Sequence, residues 1–323
     1  MEEIIKEKLE VCNVCPRNCN VDRANGKIGY CKCNDKVKVA LVSTHDFEEP
    51  CISKINGSGT IFFSNCNLNC MFCQNYEISQ LGKGREITID RLAEIFVEQQ
   101  RRGVNNINLV TPTMYAYQII EAIKIARNKG LNIPVIYNSN GYESVQTIKD
   151  LNGYIDVYLP DFKYYSDEIA IKYSKAPHYK EIASKAIKET GVQLDGITYW
   201  SISNTLDHNL ERTNRKTYEQ GLQREIAQTR YAGLYSGLER NQTSKNILKW
   251  IKENMPQDVY VSVMAQYFPT YKAKEDDLLN RKITIREYRA VENYLYSLEL
   301  ENGYMQDLGK HEEEYVPEFD FRN

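Results

Sequence analysis

Residues 59–75 read "GTIFFSNCNLNCMFCQN", which sets Cys66, Cys70 and Cys73 at C-x3-C-x2-C spacing directly after an apolar run. The run is β-branched and aromatic and predicts a strand, so the three thiols stand on the loop leaving its carboxyl end. Three thiolates on so short a loop can hold three corners of a cubane iron–sulfur cluster. The fourth iron then has no protein ligand and is open to a small molecule. Zinc is the competing metal and would want a further histidine or a water. Cysteines used only as small buried residues are the remaining alternative.

Outward from this stretch, apolar strands alternate with amphipathic helices. Helices are predicted at 90–100, 115–128, 142–151, 179–189, 244–254 and 284–300, and strands at 107–110, 133–137, 154–159 and 259–264. Such repetition predicts a parallel sheet covered by helices. Polar or small groups follow the strands in register: Cys66, Thr111 to Thr113, Asn138 to Asn140, Asp161 with Lys163, and Gln266 with Tyr267. In a barrel-like arrangement these converge on the carboxyl-terminal rim, where sites are built. The stretch 203–246 is discordant, being rich in Asn, Thr, Gln and Arg. Its neighbour "GITYWSIS" at 196–203 reads as a strand and "YEQGLQREIAQTRY" at 218–231 as a helix with Tyr218, Leu222 and Ile226 on one side.

The chain has 323 residues, 42% of them hydrophobic and 26% charged, which is ordinary for a globular protein with a sizeable core. A net charge of -3 gives no broad attraction to nucleic acid or acidic membranes, and no apolar segment is long enough to span a bilayer. The charged, helical start "MEEIIKEKLEVC" lacks the apolar core of a secretory leader, so a cytoplasmic location is expected.

Of the nine cysteines, five fall between Cys12 and Cys33. In a reducing compartment that favours metal thiolates over disulfides. Cys12, Cys15, Cys19 and Cys31 form C-x2-C-x3-C-x11-C in a region with too few apolar residues to build a core of its own. They predict a metal-stabilised knob holding zinc or a second iron–sulfur cluster, between which spacing does not choose. His45 could line a route into the barrel, and Cys51 could be inert and buried or close to the central cysteines.

The stretch "CNLNCMFCQN" resembles the signature of radical S-adenosylmethionine (SAM) enzymes. With "CNVCPRNC", "GKIGYC", "HDFEEPCIS" and "LVTPTMYA", it is similar to the subfamily related to pyruvate formate-lyase activating enzymes. The resemblance implies an α/β fold, a partial (β/α)6 TIM-like barrel at 57–300 with an atypical segment at 203–246. A cysteine-rich extension at 1–56 precedes it and a tail at 301–323 follows. It further implies a [4Fe-4S] cluster on Cys66, Cys70 and Cys73, with SAM on the fourth iron. One electron, from a reduced flavodoxin or ferredoxin-like donor, would cleave SAM to methionine and a 5'-deoxyadenosyl radical. That radical would take hydrogen from a glycyl-radical protein or a small-molecule substrate.

By the same resemblance Phe72 would lie beside the adenine, and Asp161 with Lys163 near cofactor and substrate. Thr111 and Thr113 replace the glycine-rich segment that binds the cofactor's amino group, which their hydroxyls and carbonyls can still do. Asn138 and Asn140 could hold its carboxylate or ribose hydroxyls. The bland alternatives are packing for Phe72, a polar turn for the asparagines and a simple ion pair for Asp161 and Lys163. The runner-up function is an iron–sulfur electron-transfer or scaffold protein without radical activity, because 203–246 stands where the family carries an Arg-His-containing strand.

Overall fold

The computed structural model describes residues 2–194, 226–232, 237–257, 259–265, 267–300, 302–306 and 319. In chain order the elements are α1 (Glu2–Glu10), β1 (Val37–His45), α2 (Pro50–Ser53), β2 (Ser58–Phe63), α3 (Tyr76–Ser79), β3 (Arg85–Ile87), α4 (Ile89–Arg101), β4 (Ile107–Val110) and α5 (Ala116–Asn128). Then come β5 (Val135–Ser139), α6 (Val145–Asp150), β6 (Val157–Pro160), α7 (Asp167–Ser174), α8 (Tyr179–Leu194), β7 (Ile226–Ala232), α9 (Gly237–Asn254), β8 (Val259–Met264), α10 (Ile285–Ser297) and β9 (Gly303–Met305).

A six-stranded sheet has the order β3-β1-β2-β4-β5-β6, and a three-stranded parallel sheet has the order β7-β8-β9. β2, β4, β5 and β6 are parallel, each reached through a helix. β1 and β3 pair antiparallel at the other edge, so the large sheet is mixed where the sequence predicts parallel strands alone. The alternating "VKVALVSTH" of β1 carries that information, and β1 lies within the stretch read as the cysteine-rich extension. β7 runs beside β6, which brings the two sheets together.

Alternation divides the sheet into two faces. Ile61, Phe63, Leu109, Val135 and Tyr137 join Leu92, Phe96, Ile119 and Ile123 of α4 and α5 in the main core. These helices form because their apolar residues recur at helical spacing; Thr88 caps α4 by accepting from Arg91 N, and Thr284 with Glu287 makes a capping box on α10. The opposite face carries two rows read from the strand register: Thr60, Asn108, Ile136 and Val157, then Phe62, Val110, Asn138 and Leu159. Ile136, Val157 and Leu159 pack there against Cys51 and Ile52 of α2, which settles Cys51 as a packing residue. Asn106 fixes that short helix by donating to Ile52 O at 2.8 Å and accepting from Ser58 Oγ at 2.6 Å.

One further sequence expectation changes. Ile226–Ala232 is a parallel strand on β8, although 218–231 reads as a helix; pairing to a buried strand outweighs a weak one-sided apolar pattern. The remainder of that stretch, the 196–203 strand and Gln266 lie outside the described residues. No helix among the described residues is long and apolar enough to cross a membrane.

Candidate metal and cofactor centre

β2 is buried along its whole length and delivers the chain to Ser64, whose carbonyl accepts from Tyr115 Oη at 3.1 Å and whose hydroxyl donates to Lys83 O at 2.5 Å. Asn65 then turns at φ 70°, in the left-handed region that Asn tolerates, and starts the cysteine loop. The loop is held from several sides. Asn69 N donates to Ser174 O (3.0 Å) and Met71 N to Tyr173 O (2.9 Å), while Gln80 Nε2 reaches Leu68 O (3.2 Å) and Arg17 Nε reaches Asn67 O (2.9 Å).

Each of the three sulfurs has a hydrogen-bond partner. Cys66 Sγ accepts from Leu68 N and from Asn140 Nδ2, both at 3.4 Å. Cys70 Sγ accepts from Ser174 Oγ at 2.9 Å, and Cys73 Sγ lies 3.1 Å from Ser79 Oγ. Burial pushes all three thiols up, Cys70 to about 12. Neighbouring cysteines add to the rise at Cys66 and Cys70, whereas the Lys163 ammonium opposes it at Cys70 and Cys73. Bare, these groups are protonated; loading a soft metal centre must expel their protons into a pocket already furnished with donors for the resulting sulfur charge.

Lys163 and Asp161 form an ion pair with both side chains mostly buried. Burial works against the Lys163 charge, yet Asp161 and Cys70 raise its pKa above the usual lysine value, so it remains an ammonium beside the cysteine loop. Tyr179 Oη ties the two neighbouring post-strand turns together: it lies 2.9 Å from Asn140 O and 2.8 Å from Asp161 O and accepts from Lys163 N at 2.9 Å. Gly141 permits that approach. Its φ is 76°, and a Cβ there would stand 2.3 Å from Asp161 O.

The other expected cofactor residues divide. Asn140 is committed to the protein: its amide nitrogen serves Cys66 and Asn67 Oδ1 (2.7 Å), and its oxygen accepts from Tyr142 N (2.9 Å). Thr113 is fully buried and donates to Glu143 Oε1 at 2.7 Å. Thr111, at φ 59°, donates its N–H to Asn138 O at 2.9 Å and joins the ends of β4 and β5. Asn138 shares the sheet face of Val110 and Leu159. Phe72 is 7% exposed and belongs to the main core. His45 ends β1 and packs edge-on against Phe47. Tyr267 is buried and donates to Leu279 O at 2.7 Å.

Sequence reasoning misses Ser79 and Ser174 as sulfur partners, and also three buried polar groups. Glu143 is pushed up to about 7 by burial, against donors including Thr113 and Tyr137. Glu49 is pushed up to about 7, first by burial and further by Asp161, with Ser262 opposing. Asn108 is fully buried, and neither atom of its amide has a hydrogen-bond partner among the described residues. Only Ser79 had a legible signal, lying six residues past Cys73.

Among the described residues, no group of three or more His, Cys, Asp or Glu converges on a single-ion position. A family model described as the Radical SAM superfamily matches residues 60–204, which begin inside β2 and take in the three cysteines.

The chain belongs to the radical SAM superfamily.

It is 30% identical over 321 residues to the uncharacterized protein MJ0674 of Methanocaldococcus jannaschii, covering 95% of this chain and 78% of that one. The uncharacterized protein MJ0808 of the same organism is 26% identical over 172 residues, covering 46% of this chain and 50% of its own. Among solved structures, Streptococcus suis SuiB bound to the precursor peptide SuiA matches with a TM-score of 0.49 and 14% identity over 78% of this chain. The match spans about half of SuiB, 48% of its length. A domain of the pyruvate-formate lyase-activating enzyme from Bacteroides vulgatus matches with a TM-score of 0.38 and 10% identity, covering 61% of this chain and 94% of that domain. Radical SAM membership supports SAM-based radical chemistry in the broad sense.

Proposed function

We propose that this chain is a radical SAM enzyme in which Cys66, Cys70 and Cys73 hold three irons of a [4Fe-4S] cluster, SAM occupies the fourth, and hydrogen is taken from a protein glycine or a small substrate. The observation that carries the reading is the loop itself. Three thiols leave one buried strand, each sulfur meets a hydrogen-bond partner, and a buried lysine lies beside them. When bound, the cluster and SAM supply one-electron reductive cleavage and a 5'-deoxyadenosyl radical.

The chain's own residues hold and shield that centre. Asn140, Ser174 and Ser79 orient the sulfurs, and the Lys163–Asp161 pair places a fixed positive charge beside Cys70 and Cys73. The carboxylate of Asp161 suits the cofactor's ammonium, and Lys163 its carboxylate. The ends of β4 and β5, with Thr111 and Asn138, lie on the same rim and suit its polar groups. Phe72, Thr113 and Asn140 act through packing and support.

The test is anaerobic reconstitution with iron and sulfide, followed by reduction in the presence of SAM. We expect 5'-deoxyadenosine from the wild type and none from Cys70→Ala. Full iron and sulfide loading without SAM cleavage, under a reductant shown to reduce the cluster, would instead establish the electron-transfer or scaffold protein.

A further inference from the structure

The amino-terminal knob presents a charge problem. Arg23 is 1% exposed and is the largest fully buried side chain, yet no carboxylate pairs with it among the described residues. Its Nε and Nη2 donate to Asn34 O at 3.0 and 2.8 Å, Nη2 also reaches Met114 O at 2.9 Å, and Nη1 points at Cys12 Sγ at 3.7 Å. A guanidinium stays charged under all ordinary conditions, and carbonyls solvate it without neutralising it.

The missing negative charge has an obvious source. Cys12, Cys15, Cys19 and Cys31 all line one cavity, together with Arg23 and Gly29. Gly29 leaves room around sulfur there, since a Cβ would stand 3.0 Å from Cys19 Sγ. Tyr30 N donates to the same sulfur at 3.4 Å, a bond suited to thiolate. Four thiolates around zinc or an iron–sulfur cluster make a net negative centre.

We infer that Cys12, Cys15, Cys19 and Cys31 bind a second, thiolate-ligated metal centre whose negative charge neutralises buried Arg23. The four thiols border one cavity without converging on one point, so side-chain rotation accompanies metal binding. The centre also has a mechanical role. The knob reaches the central loop through Arg17 and Asn67, reaches α6 through Thr147 Oγ1 donating to Val14 O at 2.7 Å, and reaches the turn after β4 through Arg23 and Met114 O.

The test uses the full chain with Cys66, Cys70 and Cys73 all changed to Ala, so that it does not depend on radical activity. The variant is purified anaerobically from metal-replete cells, its metal and sulfide are measured, and its thiols are alkylated with and without chelator. Expected is either about one zinc without sulfide, or about four irons with matching sulfide, per chain. The first result identifies zinc and the second a cluster. In either case Cys12, Cys15, Cys19 and Cys31 resist alkylation until the metal is stripped, and adding Cys12→Ser with Cys19→Ser lowers metal content at least tenfold. A folded triple variant that holds neither metal, before or after anaerobic loading with zinc or with iron and sulfide, overturns the inference. So does bound metal that leaves those four thiols fully reactive.

Discussion

Ser174 Oγ lies 2.9 Å from Cys70 Sγ although 104 residues separate them. Ser174 ends α7, and its hydroxyl also meets Tyr164 Oη, so the sulfur closes a short buried hydrogen-bonded chain. Hydrogen bonds to cluster sulfur favour the more negative, reduced state. Ser174→Ala should keep its iron while lowering the cluster's reduction potential by on the order of 50 mV, equivalent to about one hydrogen bond's differential strength. A redox titration followed by electron paramagnetic resonance reads the shift, and an unchanged potential would remove Ser174 from the cluster's surroundings.

The Lys163–Asp161 pair is mostly buried, so removing one partner strands the other charge. Lys163→Met and Asp161→Asn should each cost about 3 kcal/mol of stability, and the double variant should recover part of that loss. Denaturant melts of the four proteins, arranged as a cycle, measure the coupling. Additive losses would show that the two side chains act independently.

Glu143 has a folded-state pKa of about 7 against an ordinary 4.5, raised by burial. Between those values the folded protein holds a proton that the unfolded chain has released. Its contribution is therefore complete below pH 4.5 and is lost as pH rises toward and through 7. The change amounts to roughly 3 kcal/mol across that window. Glu143→Gln, neutral throughout, should flatten this part of the stability profile, and urea melts at several pH values would show an unchanged slope if Glu143 were not its source.

Gly141→Ala combines a positive φ of 76° with a Cβ placed 2.3 Å from Asp161 O. Relieving that clash requires the turns after β5 and β6 to separate, which breaks the bridge made by Tyr179. A loss on the order of 3 kcal/mol is expected, with weaker SAM binding by calorimetry. Wild-type melting and binding in this variant would show that the two turns need not stay in contact.

Much of the centre was legible because its signal is local. Cys66, Cys70 and Cys73 are adjacent in sequence, and the strand before them is apolar along its whole length. Asp161 and Lys163 share one short turn, so their pairing is legible from spacing alone. Ser174, Glu49 and Asn108 were not legible, since each acquires its meaning from a partner or a sheet face brought close by folding. Asn140 and Thr113 have the polar side chains a cofactor could use, and their hydrogen bonds to Cys66 and Glu143 arise only on folding. Antiparallel β1 escapes a reading that starts the sheet at the alternation after residue 57, because β1 pairs with β2 from the amino-terminal side.

The bond from Thr147 to Val14 O spans 133 residues. A ribosome adding about 5–20 residues per second needs on the order of ten seconds to cross that interval. Throughout it, the first cysteines emerge before the partners that will shelter them exist. Oxidants and stray metals in the cell therefore have their best access to this protein during its own synthesis, and expression under reducing, anaerobic conditions protects the chain when it is most exposed.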